Sequence, residues 1–248
     1  MGIIVFIGNS HLTVLQRALN GTDQILGRKV KFVQLFEKEL GNTFVHCEGG
    51  LAVNPSIEKR FEEFKKEGDI DFVFSCFRGS LHDIMGLVTG DIPYDFMIPT
   101  HNELPTSRDA DLIPYGIVLD EIKRRTNYFD IFFQFLKKNA KHVAHLESPP
   151  MIATGEHIRQ FPGSFQTLIS QRDISPRYVR FKLWLAVAEV VQDYCRTAGI
   201  GYLPAPHETL EPEGWLKPEF WGKDPTHGND EYGRAVMRQV VAQIGACP

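Results

Sequence analysis

Short apolar runs recur along this chain, and an amphipathic segment follows each. Residues 3–7, 30–36 and 72–74 are mainly apolar without strict alternation, as in strands covered on both faces. Residues 142–146 and 200–203 are two further candidates. The segments between them carry helical periods. One spans residues 11–20. Another spans 56–66, with Ile57, Phe61 and Phe64 on one face and Pro55 before its first turn. Residues 118–138 place Ile122, Phe129, Phe132, Phe133 and Leu136 along one stripe and predict one long helix. Residues 178–196 group Phe181, Leu185, Ala188 and Val191, and Gly199 stops the pattern. A last helix is expected over 229–244. Parallel strands need crossovers, and helices supply them, so this order predicts an α/β fold with a parallel sheet covered on both faces.

Composition removes several classes of function. The 248 residues include 27 Lys plus Arg against 31 Asp plus Glu, a formal net charge of -4. No basic excess is available to displace counterions, so a nucleic-acid partner is not expected. No stretch reaches the roughly 20 apolar residues of a membrane span. The first apolar run has no basic residues before it and ends after about six residues, so it reads as a strand and not a signal peptide. Cys47, Cys76, Cys195 and Cys247 form no CxxC pair and are read as free thiols of a cytoplasmic protein. Two stretches break the alternation, near residues 90–114 and 147–176. Both are long for simple connections and are candidate substrate loops.

Two segments carry potential chemistry. Gly8-Asn9-Ser10-His11 follows the first strand directly. Ligands of open parallel sheets bind beyond the carboxyl ends of strands, and a helix N-terminus there favours developing negative charge. Ser10 is therefore a candidate nucleophile, with simple N-capping as the alternative. Asp224-Pro225-Thr226-His227 stands just before the last helix. A serine needs a base, histidine is the usual one, and a carboxylate fixes its tautomer. The alternative is an Asp and a His in an ordinary helix-entry loop. There is no HExxH, no GxSxG, no GxGxxG and no Walker A sequence.

The order of these segments resembles the SGNH (GDSL-type) hydrolase superfamily. There the serine lies in a G-D-S block after strand one, and the Asp and His lie in a D-x-x-H block before the final helix. The run from Asp224 to Gly233 is similar to the longer ending D-x-T-H-x-N-x-x-Y-G of bacterial members. The resemblance implies one domain over residues 1–248, a three-layer α/β/α fold of flavodoxin-like kind with a parallel sheet of about five strands. It implies Ser10 as nucleophile, His227 as general base and Asp224 as its orienting partner. Asn9 replaces the family's aspartate and is expected to support the turn. Gly49 or Gly50 matches the oxyanion glycine after strand two, and Ser80 stands where an oxyanion asparagine is expected. Loss of one such donor costs roughly 3 kcal/mol of transition-state stabilisation. Arg78 or His82 is a candidate to compensate or to bind substrate. His145 and Glu147 follow strand four and are candidates to line the pocket.

The expected activity is hydrolysis of a short acyl ester, acetyl-like, on a carbohydrate or related small molecule. No metal and no organic cofactor is implied. Acyl transfer to another alcohol is the nearest chemical neighbour. A non-catalytic ligand-binding protein that kept the fold is the alternative of another class. Ser80 in the asparagine position favours it, and the retained Ser10, Asp224 and His227 count against it.

Overall fold

Ile3, Ile4, Val5, Phe6 and Ile7 are all fully buried, which only a strand with layers above and below it allows. They form β1 (Ile3–Gly8), near the middle of a six-stranded sheet. The computed structural model describes residues 2–78 and 81–247. With elements numbered along the chain, the sheet runs β10 (Gly201–Leu203), β9 (His142–Leu146), β6 (Ile70–Cys76), β1, β3 (Arg28–Gln34) and β2 (Gln24–Ile25). The first five of these are parallel, and the two-residue β2 closes one edge antiparallel.

Alternate side chains of β1 supply two separate cores. Ile4 and Phe6 pack under α1 (His11–Ala18) and α9 (Asp230–Ala246), with Leu12, Leu15, Tyr232, Val236 and Val240. Phe6 lies stacked between Phe32 and Phe74, with ring centroids 5.3 and 5.4 Å away. Ile3, Val5 and Ile7 face the other layer. It contains α2 (Pro55–Glu67), α5 (Phe129–Asn139) and α8 (Arg177–Ala198). Asn54 caps α2 by accepting from the Ser56 amide, and Pro55 occupies its first turn, where no donor is needed. The chain is thus a three-layer α/β/α protein with a mainly parallel sheet. Among the described residues no helix is long and apolar enough to cross a membrane.

The structure departs from expectation in four places. The single helix over 118–138 is two, α4 (Tyr115–Thr126) and α5. The buried Thr126 hydroxyl turns back to the Ile122 carbonyl at 2.7 Å, and the chain breaks at residues 127–128. Helix α4 packs on α8, while α5 also reaches β9 and the hairpin described next, so the two halves serve different neighbours. After β3 the chain makes an antiparallel hairpin, β4 (Phe44–Cys47) and β5 (Gly50–Val53). The 90–114 stretch is not plain loop: β7 (Tyr94–Asp95) pairs with β8 (Asp111–Leu112). Buried Asp95 takes a charge-assisted hydrogen bond from buried Lys182 of α8 and hydrogen bonds from the Phe96 and Ser107 amides. The 147–176 stretch holds α6 (Gly155–Gln160) and α7 (Gln166–Gln171). Buried Arg180 of α8 donates to the carbonyls of Ile152, Ala153 and Ser175, which anchors that stretch at both ends.

Candidate active site

Read in chain order, the parallel strands have the spatial order 2-1-3-4-5, so the chain leaves β1 for one side and later returns on the other. Loops that diverge this way open a crevice at the carboxyl ends of the strands. Gly8 ends β1 there, where a side chain would meet the Cys76 carbonyl oxygen at 2.6 Å, so only glycine lets β1 and β6 end side by side. Asn9 spans the crevice: its Oδ1 accepts from the Arg78 amide at 3.1 Å. Ser10 follows with helical dihedrals and makes no side-chain cap on α1. Its hydroxyl oxygen instead lies 2.7 Å from His227 Nε2.

The other side of His227 is equally engaged. Its Nδ1 lies 2.8 Å from Asp224 Oδ1, which also accepts from the Thr226 and His227 amides at 2.8 and 2.9 Å. Burial alone would raise the Asp224 carboxyl. The His227 hydrogen bond and charge, with the two amides, win and hold it well below the usual carboxylate range. An ionised Asp224 keeps the proton on Nδ1, which leaves Nε2 free to accept the Ser10 hydroxyl hydrogen. The His11 ring packs against His227 at a centroid distance of 4.5 Å. Burial and the neighbouring His227 push His11 down to about 3, so it stays neutral.

The rest of the 224–233 run builds the platform. Thr226 Oγ1 lies 3.2 Å from Asp224 Oδ1 and 2.9 Å from His227 Nδ1. Asn229 caps α9 by accepting from the Glu231 and Tyr232 amides. Tyr232 is buried beneath the sheet face, and Gly233 lets α9 close onto α1, where an added side chain would meet the Val14 carbonyl oxygen at 2.7 Å.

The other residues singled out from the sequence are placed unevenly. Gly49 and Gly50 are both exposed at the β4–β5 hairpin tip, with nothing within 4 Å of an added side chain, and neither lines the cavities beside Ser10 and His227. A hairpin turn needs glycine for positive φ, here +110° at Gly50, and that need imitates an oxyanion glycine in sequence. Ser80 lies outside the described residues. The Arg78 amide is held at the crevice by Asn9, while its guanidinium lies against the Phe77 and Tyr128 rings and, like the two glycines, lines neither of those cavities. His82 is buried in α3 (Leu81–Gly86), with Nε2 3.2 Å from Asp83 Oδ2, and burial pushes it down to about 3. It is therefore a neutral interior group and not a surface donor. His145 is likewise interior, 3.3 Å from Ser75 Oγ and packed on Phe129 and Phe133. Glu147 lines the small cavity behind His227 but is engaged by the Tyr202 hydroxyl and the Ala205 amide, both at 2.7 Å. His11 and Thr226 lie inside the two segments singled out from the sequence but were given no role there; their contacts with His227 and Asp224 follow from the turn and the packing. Among the described residues no cluster of His, Cys, Asp or Glu could hold a metal ion.

No protein-family model matches the sequence, and no curated protein is similar to it in sequence. Solved structures are similar in fold. A candidate SGNH hydrolase from Slackia heliotrinireducens aligns over 98% of both chains at 11% identity, with a TM-score of 0.51. The fold is that of the SGNH hydrolases. The periplasmic domain of a lipopolysaccharide acetyltransferase from Salmonella ser. Paratyphi A shares it at a TM-score of 0.50 and 12% identity, over 98% of this chain and 83% of that one. In the SGNH fold of this chain, Ser10 leaves the first strand, and Asp224 and His227 enter the last helix.

Proposed function

We propose that the chain is a serine hydrolase of short acyl esters, with an O-acetyl group on a sugar or related small molecule as its substrate class. One observation carries the reading: an unbroken line of hydrogen bonds from Ser10 Oγ through both ring nitrogens of His227 to Asp224. In the proposed reaction the Ser10 oxygen bonds to the ester carbonyl carbon as its proton passes to His227 Nε2. Asp224 stabilises the imidazolium so formed. The oxyanion develops at the start of α1, where the Ser10 amide and the helix dipole favour negative charge. His227 then gives its proton to the departing alkoxide, and the carbonyl re-forms as an acyl-enzyme. Water, deprotonated by the same Nε2, releases the acid and restores Ser10. No step requires a metal or an organic cofactor.

Release of 4-nitrophenol from its acetate, butyrate and octanoate esters tests this. The wild type should hydrolyse the acetate fastest, and Ser10→Ala should fall to the uncatalysed rate. A wild type no faster than Ser10→Ala would defeat the reading. Transfer to a sugar hydroxyl is the second reading, because the acetyltransferase domain shares the fold at a TM-score of 0.50. It predicts an acetylated sugar in place of free acetate when an acceptor sugar is added.

A further inference from the structure

Arg78 is the second residue after β6, at φ +58°, the left-handed region that a non-glycine residue seldom adopts and that concentrates at functional sites. Its amide is bonded to Asn9, the residue before Ser10, so its backbone is fixed to the nucleophile's own turn. Its guanidinium carbon lies 5.2 Å from the Tyr128 ring centroid and 5.9 Å from that of Phe77. Phe44 of the hairpin packs against both rings, at 5.1 and 6.0 Å. The side chain is exposed, and among the described residues no carboxylate lies within 4.0 Å of its nitrogens. The arginines on the other flank of Ser10 differ: Arg17 is paired with Asp230 and Arg234 with Glu231. Lys223 on that flank also lies in no ion pair among the described residues, but Arg78 is set apart from it by its two aromatic contacts and by the bond from its amide to the nucleophile's turn. One guanidinium donor also serves the Tyr128 hydroxyl, and the five-donor fork leaves others for a planar or tetrahedral oxyanion.

We infer that Arg78 forms an anion subsite beside Ser10, and that the substrate carries a carboxylate or phosphate near its ester. This rests on the hydrolase reading. The Phe77, Tyr128 and Phe44 platform holds the guanidinium in place before substrate arrives, so little side-chain freedom is lost on binding.

Three esters test it: neutral 4-nitrophenyl acetate, 3-carboxy-4-nitrophenyl acetate with its anion on the alcohol, and 4-nitrophenyl hemisuccinate with its anion on the acyl group. Each rate is divided by that ester's own rate with hydroxide. The wild type should favour at least one anionic ester in kcat/KM, chiefly through KM, and the favoured one tells which side of the ester faces Arg78. In Arg78→Asn, whose residue tolerates positive φ, the anionic-to-neutral ratio should fall about tenfold or more. Arg78→Lys should retain part of it. No preference in the wild type, or the same preference in Arg78→Asn, would overturn the subsite. Calorimetric titration with phenyl phosphate separates this from the wider reading. Binding that weakens at least tenfold in Arg78→Asn, with none of the esters hydrolysed, would remove the hydrolase reading and leave the anion subsite standing. Equal binding by both proteins would overturn the subsite whatever the esters do.

Discussion

In the proposed mechanism the residue that decides reactivity is Asp224, because its charge stabilises the His227 imidazolium. An Asp224→Asn side chain can still accept from the two backbone amides through its oxygen, so the loop should survive. That same oxygen can still accept from His227 Nδ1–H, so what the substitution removes is the negative charge that stabilises the imidazolium. The expected loss in kcat for 4-nitrophenyl acetate is on the order of 10³–10⁴, with KM little changed. A loss under tenfold would mean that the Asp224 charge does not support the His227 imidazolium. At this scale the sequence was informative where motifs are local. Asp224, Thr226 and His227 share one turn, and Ser10 sits at a strand-to-helix junction, so their places in the fold could be read. Gly49 and Gly50 could not, since a hairpin turn and an oxyanion loop ask for the same residue. Nor could the burial of His82, which depends on α3 packing against α8, distant in sequence.

The elements that hold the site are α1 and α9, which begin after Ser10 and after His227 respectively. Their close approach depends on Gly233, where a Cβ would lie 2.7 Å from the Val14 carbonyl oxygen and 2.8 Å from Val14 Cγ1. Helix propensity alone would make Gly233→Ala stabilising by about 1 kcal/mol. Overpacking opposes this and should win, for a net loss of about 1–3 kcal/mol in urea unfolding, with lowered esterase activity as the helices separate. A stabilised variant would show that the α1–α9 contact is not tight. Strands and most helices were legible because each has its own apolar period. The break at residues 127–128 was not, since the apolar stripe continues across it. What ends α4 is a change of packing partner from α8 alone to α8, β9 and β5, which a single segment does not encode.

Across the whole molecule, four buried groups beside or beneath the site give stability a defined pH dependence. Burial holds His11, His82 and His145 down to about 3 from 6.5. Each contributes stability that is present above 6.5 and is lost as the pH falls toward 3, because the unfolded chain binds the proton first. Burial raises Asp83 to about 8 from 3.8, offset in part by Arg180. Its contribution is present below 3.8 and is lost as the pH rises through 8. Between 3.8 and 6.5 three histidines oppose one aspartate, so stability rises with pH. From 6.5 to 8 the three histidines add nothing more while Asp83 still loses its contribution, and stability falls. Thermal unfolding should therefore show its highest Tm near pH 6.5, and a Tm that is flat from pH 4 to 8 would contradict the assignment of these groups as neutral and interior.

The central claim is that Ser10 is a nucleophile activated through His227. Peptide mass mapping after treatment with a fluorophosphonate tests it most directly, because the reagent bonds only to an activated serine. One phosphonyl group per chain is expected, on the peptide that contains Ser10, and no label in Ser10→Ala or His227→Ala. A folded wild type that takes up no label, or carries it on another serine, would contradict it.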